Sequence, residues 1–91
     1  MAKVKFTRHL VRYLPTLADV VEVQDNTVAG VISDLDNQYP GLADYIIDER
    51  SSLRRHVNIF LDKELIQDRQ TLQDSVAQDD QVYIFQALSG G

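Results

Sequence analysis

The chain has 91 residues, 44% of them hydrophobic and 25% charged, so it fits one soluble domain with one core and has no room for two. Its formal net charge of −5 works against a nucleic-acid partner, whose phosphates are bound mainly by Lys and Arg. The absence of cysteine excludes disulfides, thiolate metal sites and a cysteine nucleophile.

No apolar run approaches the ~20 residues that span a bilayer, and Met1–Phe6 lacks the apolar stretch of a secretory signal. The expectation is a cytoplasmic protein with no membrane partner. His9 and His56 have no ligand-like spacing and read as surface histidines; no metal site is expected. Basic residues gather at Lys3, Lys5, Arg8 and Arg12 and again at Arg54–Arg55, without the interleaved aromatics of a nucleic-acid motif. Acidic residues run from Asp19 to Asp80 and favour a partner with a basic docking surface.

In chain order, Lys3-Val4-Lys5-Phe6 alternates with the period of a half-buried strand and continues more weakly through Thr7–Val11. Leu14-Pro15 marks a turn before the β-branched Val20–Val23, a second strand. Thr27 is a good N-cap. After it Val28, Val31, Ile32, Leu35 and Tyr39 form one helical stripe. Gly30 costs this helix up to ~1 kcal/mol against alanine, which suggests a close approach to a sheet. Pro40 ends the helix, and Leu42–Ile47 adds a short helical turn.

Asp48–Arg55 reads as a polar loop, Val57–Leu61 as a strand, Asp62-Lys63 as a turn and Glu64–Ile66 as a short return strand. Thr71–Asp74 reads as one turn of α- or 3₁₀-helix, and Gln81–Phe85 as the last strand. One amphipathic helix on a mostly antiparallel sheet is a two-layer α+β fold. Val4, Phe6, Val21, Val23, Val57, Ile59, Leu61, Val82 and Ile84 should then face the helix. The same alternation turns Phe60, Tyr83 and Phe85 to the uncovered face, where grouped aromatics mark an interaction site.

The sequence closes on Ser89-Gly90-Gly91, which holds half of its four glycines. A backbone without Cβ atoms suits a tail that threads a narrow channel, although a chance ending or an added Ser-Gly-Gly remnant has the same composition. No Ser/His/Asp set or phosphate loop appears, so no catalytic residue is assigned.

These residues resemble the MoaD/ThiS-type sulfur carriers, which have the ubiquitin-like β-grasp fold. The likeness covers nearly the whole chain. It rests on Lys3–Phe6, Asn26-Thr27-Val28, Tyr39-Pro40-Gly41-Leu42, Leu53–Phe60, Val82–Phe85 and Ala87-Leu88-Ser89-Gly90-Gly91. Two departures stand out. Gln78-Asp79-Asp80 replaces a turn that usually carries glycine, and Gln86-Ala87 replaces a segment that commonly has proline, which leaves the tail less stiff.

The resemblance implies a mixed, mostly antiparallel sheet of four to five strands with one main helix on one face. It divides the chain into a β-grasp domain at 1–86 and a flexible tail at 87–91. It further implies that a ubiquitin-activating-type adenylyltransferase uses ATP to adenylate Gly91. A sulfur donor then converts the acyl adenylate to a thiocarboxylate, which serves an acceptor synthase subunit. Recipient pathways in such families include molybdopterin, thiamine and cysteine biosynthesis. Ser89 and Gly90 would thread the active site, and Phe60, Tyr83 and Phe85 would dock the partner, Phe85 foremost. From Gln86 to Gly91 an extended tail reaches roughly 20 Å. The protein would be carrier and substrate, or the small noncatalytic subunit of a synthase, with no cofactor of its own. The alternatives are a ubiquitin-like modifier conjugated through Gly91 and a non-conjugated β-grasp module that only binds.

Overall fold

In the computed structural model, which describes residues 2–6 and 20–86, β1 (Ala2–Phe6) pairs antiparallel with β2 (Val20–Val23). The expected continuation through Thr7–Val11 and the Leu14-Pro15 turn lie outside the described residues, as does the tail from Ala87 to Gly91. Helix α1 (Val28–Gln38) follows, then the single turn α2 (Ala43–Ile46), β3 (Val57–Leu61), β4 (Glu64–Leu65) and β5 (Gln81–Gln86). The five strands lie in the order β2-β1-β5-β3-β4. β1 and β5 run parallel at the centre, and every other pairing is antiparallel. This is the mixed sheet expected of a β-grasp.

Burial follows the strand period. Val4, Val21, Val23, Val57, Ile59, Val82 and Ile84 are buried on the inner face against Val28, Val31, Ile32 and Leu35 of α1. Phe6 and Leu61, expected in the core, are only half-buried against it, as is Tyr39 of the helical stripe. All three sit at the ends of described elements. The core also takes residues from irregular segments: Leu42, Ile46, Leu53, Ile66, Leu72 and Val76. Leu53 is buried within the segment expected to be a polar loop, where Ile47 and Leu53 form an isolated antiparallel bridge.

The start of α1 explains much of the fold's local detail. Thr27 caps as expected, its side-chain oxygen accepting from the Gly30 N–H at 3.1 Å. The two preceding orphan donors are met from a distant loop. The Val28 and Ala29 N–H groups donate to the carbonyls of Asp74 (3.1 Å) and Leu72 (2.8 Å). A Cβ on Gly30 would lie 2.7 Å from Asp25 Cβ. The close approach that excludes a side chain is therefore to the chain entering the helix, not to the sheet. The helix stops at Tyr39, and Gly41 holds φ +96°, a left-handed value that suits glycine.

The expected helical turn at Thr71–Asp74 is absent. Asp68 gathers the N–H groups of Gln70, Thr71 and Gln73, together with the Thr71 hydroxyl, so those donors are not available to a helical ladder. Leu72 adopts φ +59° and is buried. Asp74 in turn accepts from the Gln67 and Asp68 N–H groups at 3.0 and 2.8 Å. The Thr71 hydroxyl first, then the Thr71, Gln73 and Gln70 amides, hold the Asp68 carboxyl down at about 2.

Candidate functional site

The outer face of the sheet is organised by strand register. Lys5 of β1 stands opposite Val20 of β2 and Tyr83 of β5, Tyr83 opposite Phe60 of β3, and Phe60 opposite Leu65 of β4. One cross-strand row thus runs Val20–Lys5–Tyr83–Phe60–Leu65 over all five strands. Phe85 lies in the next row, opposite Asn58. Val20 (41%), Leu65 (48%) and Phe85 (43%) are the exposed large hydrophobic residues among those described, and all three belong to this face.

The aromatic rings meet each other. Phe60 and Phe85 pack edge to face with centroids 5.5 Å apart and planes at 89°. Tyr83 and Phe85 stack at 6.3 Å and 23°. Both arrangements suit the ring quadrupole and hold the side chains in place before any partner arrives. The Lys5 ammonium sits 5.7 Å from the Tyr83 centroid, and the Tyr83 hydroxyl donates to Gln81 Oε1. Phe60, Tyr83, Phe85 and Asp62 line a shallow concavity of about 370 Å³.

Beneath the Phe85 end, Arg69 fixes the entry to β3. Its guanidinium donates to Asn58 Oδ1 (2.9 Å) and to the carbonyls of Arg54 (2.8 Å) and Val57 (2.9 Å). This cation has its donors turned to one side-chain amide and to backbone carbonyls, and serves the scaffold.

Phe60, Tyr83 and Phe85 are therefore brought together as the alternation requires. Ser89, Gly90 and Gly91 lie outside the described residues. Sequence reasoning missed Val20, Lys5 and Leu65 as parts of the same row. The signal was present: a two-residue turn at Asp62-Lys63 pairs Leu61 with Glu64 and so sets Leu65 beside Phe60. Asp62 was read only as a turn residue. Among the described residues no His, Cys, Asp and Glu group is arranged to hold a metal ion, and no helix is long and apolar enough to cross a membrane. His56 is exposed, and His9 lies outside the described residues.

Residues 4–91 match the ThiS family. This chain belongs to the ThiS family. It is 34% identical over 73 residues to the sulfur carrier protein CysO of Mycobacterium tuberculosis, a match covering 78% of each chain. The crystal structure of that organism's CysO superposes with a TM-score of 0.82 at 28% identity, covering 97% of this chain and 100% of that one. The Amycolatopsis orientalis BexX/CysO complex contains a chain with TM-score 0.85 at 22% identity, with all of both chains covered. The small archaeal modifier protein 1 of Methanosarcina acetivorans gives 0.76 at 26% identity over 99% of this chain and 95% of that one. The fold of the described residues, a mixed five-stranded sheet with helix α1 packed on one face, matches that of these ubiquitin-like neighbours.

Proposed function

We propose that this ThiS-family protein carries sulfur as a thiocarboxylate on Gly91. The Gly91 carboxylate attacks the α-phosphorus of ATP in a ubiquitin-activating-type enzyme, and pyrophosphate leaves. The mixed anhydride now has AMP as a good leaving group. A sulfide-level nucleophile from the donor attacks the acyl carbon, AMP departs, and a terminal thiocarboxylate remains. Its sulfur is then passed to an acceptor. Gly90 and Gly91 present no side chain to obstruct either attack, and Ser89 continues the narrow segment. The chain is the substrate and carrier in this scheme, and the catalytic groups and the ATP belong to the activating enzyme.

The observation carrying this reading is that the family match runs through residue 91, and so includes the diglycine beyond β5. The CysO relatives, named as sulfur carriers, support it. The outward rings Phe60, Tyr83 and Phe85 lie on the strands nearest the root of that segment. We assign them to docking the activating enzyme and the acceptor synthase subunit. The Amycolatopsis CysO, solved as a complex with BexX, gives a precedent for a protein partner.

The test is intact-mass analysis after incubation with a ubiquitin-activating-type enzyme from the same organism, ATP and a sulfide donor. Replacement of one oxygen by sulfur, abolished when Gly91 is deleted, is the expected result. An unchanged mass with competent enzyme and donor defeats the proposal. Recovery from cells as adducts joined to target lysines, resistant to reductant, favours a conjugated modifier instead. Retention of full function after deletion of Gly90 and Gly91 favours a module that only binds.

A further inference from the structure

Asp62 places a carboxylate at an otherwise aromatic concavity. It holds φ +58°, and one oxygen, Oδ1, accepts from the Gln81 N–H at 3.0 Å, which fixes the side chain beside β5. The concavity adjoins a second one, lined by Glu64, Asp80 and Lys63, and the two share Asp62 and Tyr83 as a common wall. Rings thus stand at one end of this depression and carboxylates at the other, with Lys63 as the one cation among the described residues lining either part.

We propose that this notch receives an arginine side chain of the protein partner. A guanidinium is planar and weakly hydrated, so it stacks on an aromatic face while its edge donates to a carboxylate. An aliphatic anchor would leave the Asp62 carboxylate facing apolar groups without compensation. A lysine would offer a point charge that does not match the ring faces and the carboxylate together. The chain's net charge of −5 adds attraction toward a basic partner surface. Lys5, on the far side of Tyr83, already supplies a cation to that ring from β1. The ring faces and the carboxylate that would meet a partner's cation lie on the Phe60–Asp62 side. This assignment rests on the docking reading above and specifies the chemistry of the partner's anchor.

The test uses the full-length protein and three blocked tripeptides, glycine-X-glycine, in which X is arginine, citrulline or leucine. Each is titrated at low salt and followed by amide chemical shifts. Saturable shifts at Phe60, Asp62, Tyr83 and Phe85 with the arginine peptide, several-fold smaller with citrulline, are expected. Asp62→Asn keeps an oxygen that can accept from Gln81 and removes the charge, so it should weaken the arginine response several-fold while leaving the spectrum otherwise native. Equal responses to arginine and citrulline, a stronger leucine response, no saturable shift, or an unaffected Asp62→Asn variant would each overturn the proposal. Because the titration involves no activation chemistry, its outcome is independent of whether Gly91 accepts sulfur.

Discussion

On β5, Val82 and Ile84 are sealed beneath the sheet, while Tyr83 and Phe85 stand on its other side, with Phe85 43% exposed. Both sets are apolar, and neighbouring positions differ only in the direction of the pleat. The inner set is β-branched and meets α1, where its shape is used to fill the core. The outer set is aromatic, and its rings pack against one another and Phe60 on the sheet's other face. Hydrophobicity alone therefore does not separate the core from the outward-facing surface in this chain. Which face the helix covers does.

The largest expected effect tests that contrast directly. Ile84→Ala removes a side chain that is fully buried between strands and helix, and should cost about 2–5 kcal/mol by denaturant unfolding. Phe85→Ala, one position away, should change stability by about 1 kcal/mol or less. It should nonetheless slow thiocarboxylate formation through a higher KM for the carrier. Comparable destabilisation by the two substitutions would break the comparison between faces.

Much of this division was legible in the sequence because strand period and helical period are local properties. Val21 and Val23, Val57 and Ile59, and the α1 stripe reported their burial through spacing alone. The outward-facing rings Phe60, Tyr83 and Phe85 were legible by the same parity. Leu53, Leu72 and Val76 were not, because their burial depends on where the long segments after α2 and β4 return, and no short-range pattern encodes that. The missing helical turn at Thr71–Asp74 has a related cause. Its residues favour a local helix, but the Asp68 carboxylate competes for the same amides, and the Leu72 and Asp74 carbonyls are engaged by α1. Asp62 was hidden for another reason: a residue suited to a turn gives no sign that it also borders a surface notch. Residues 87–91 could be read only through composition and resemblance, and they lie outside the described residues.

The next effect sharpens the comparison from the scaffold under Phe85. Arg69→Met keeps much of the apolar stem and removes the donors to Asn58 and to the carbonyls of Arg54 and Val57. A loss of about 1–3 kcal/mol is expected, with faster amide hydrogen exchange at the start of β3. If stability falls without change at β3, the guanidinium is not what holds that strand's entry.

Gly30→Ala probes the covered side. Alanine would gain up to ~1 kcal/mol in helix propensity, yet its Cβ would stand 2.7 Å from Asp25 Cβ and 2.8 Å from Asp25 Cγ. Asp25 Cβ is anchored next to the backbone, so the chain entering the helix must shift. A net destabilisation of about 1–2 kcal/mol in the thermal or denaturant midpoint is expected. A more stable variant would show that the entry relaxes freely and that α1 does not depend on this close approach.

The smallest effect concerns pH and the loop that replaced the expected helical turn. The Thr71 hydroxyl and the amides of Thr71, Gln73 and Gln70 stabilise ionised Asp68, lowering its carboxyl from 3.8 to about 2. The unfolded chain therefore takes up this proton more readily than the folded one. The resulting stabilisation is present in full above the unfolded value near 3.8 and is lost as pH falls toward 2. Asp48, lowered mainly by the Ser52 and Arg50 amides, acts in the same direction. Thr71→Val removes the foremost cause at Asp68 and should flatten the fall in unfolding midpoint between pH 4 and 2. The Asp48 contribution should remain. Because Asp68 is only half-buried and its charge is screened by solvent, the change should be small beside those at Ile84 and Arg69. An undiminished acid slope in Thr71→Val would mean that the amides alone keep the carboxylate ionised, and that the hydroxyl only closes the turn.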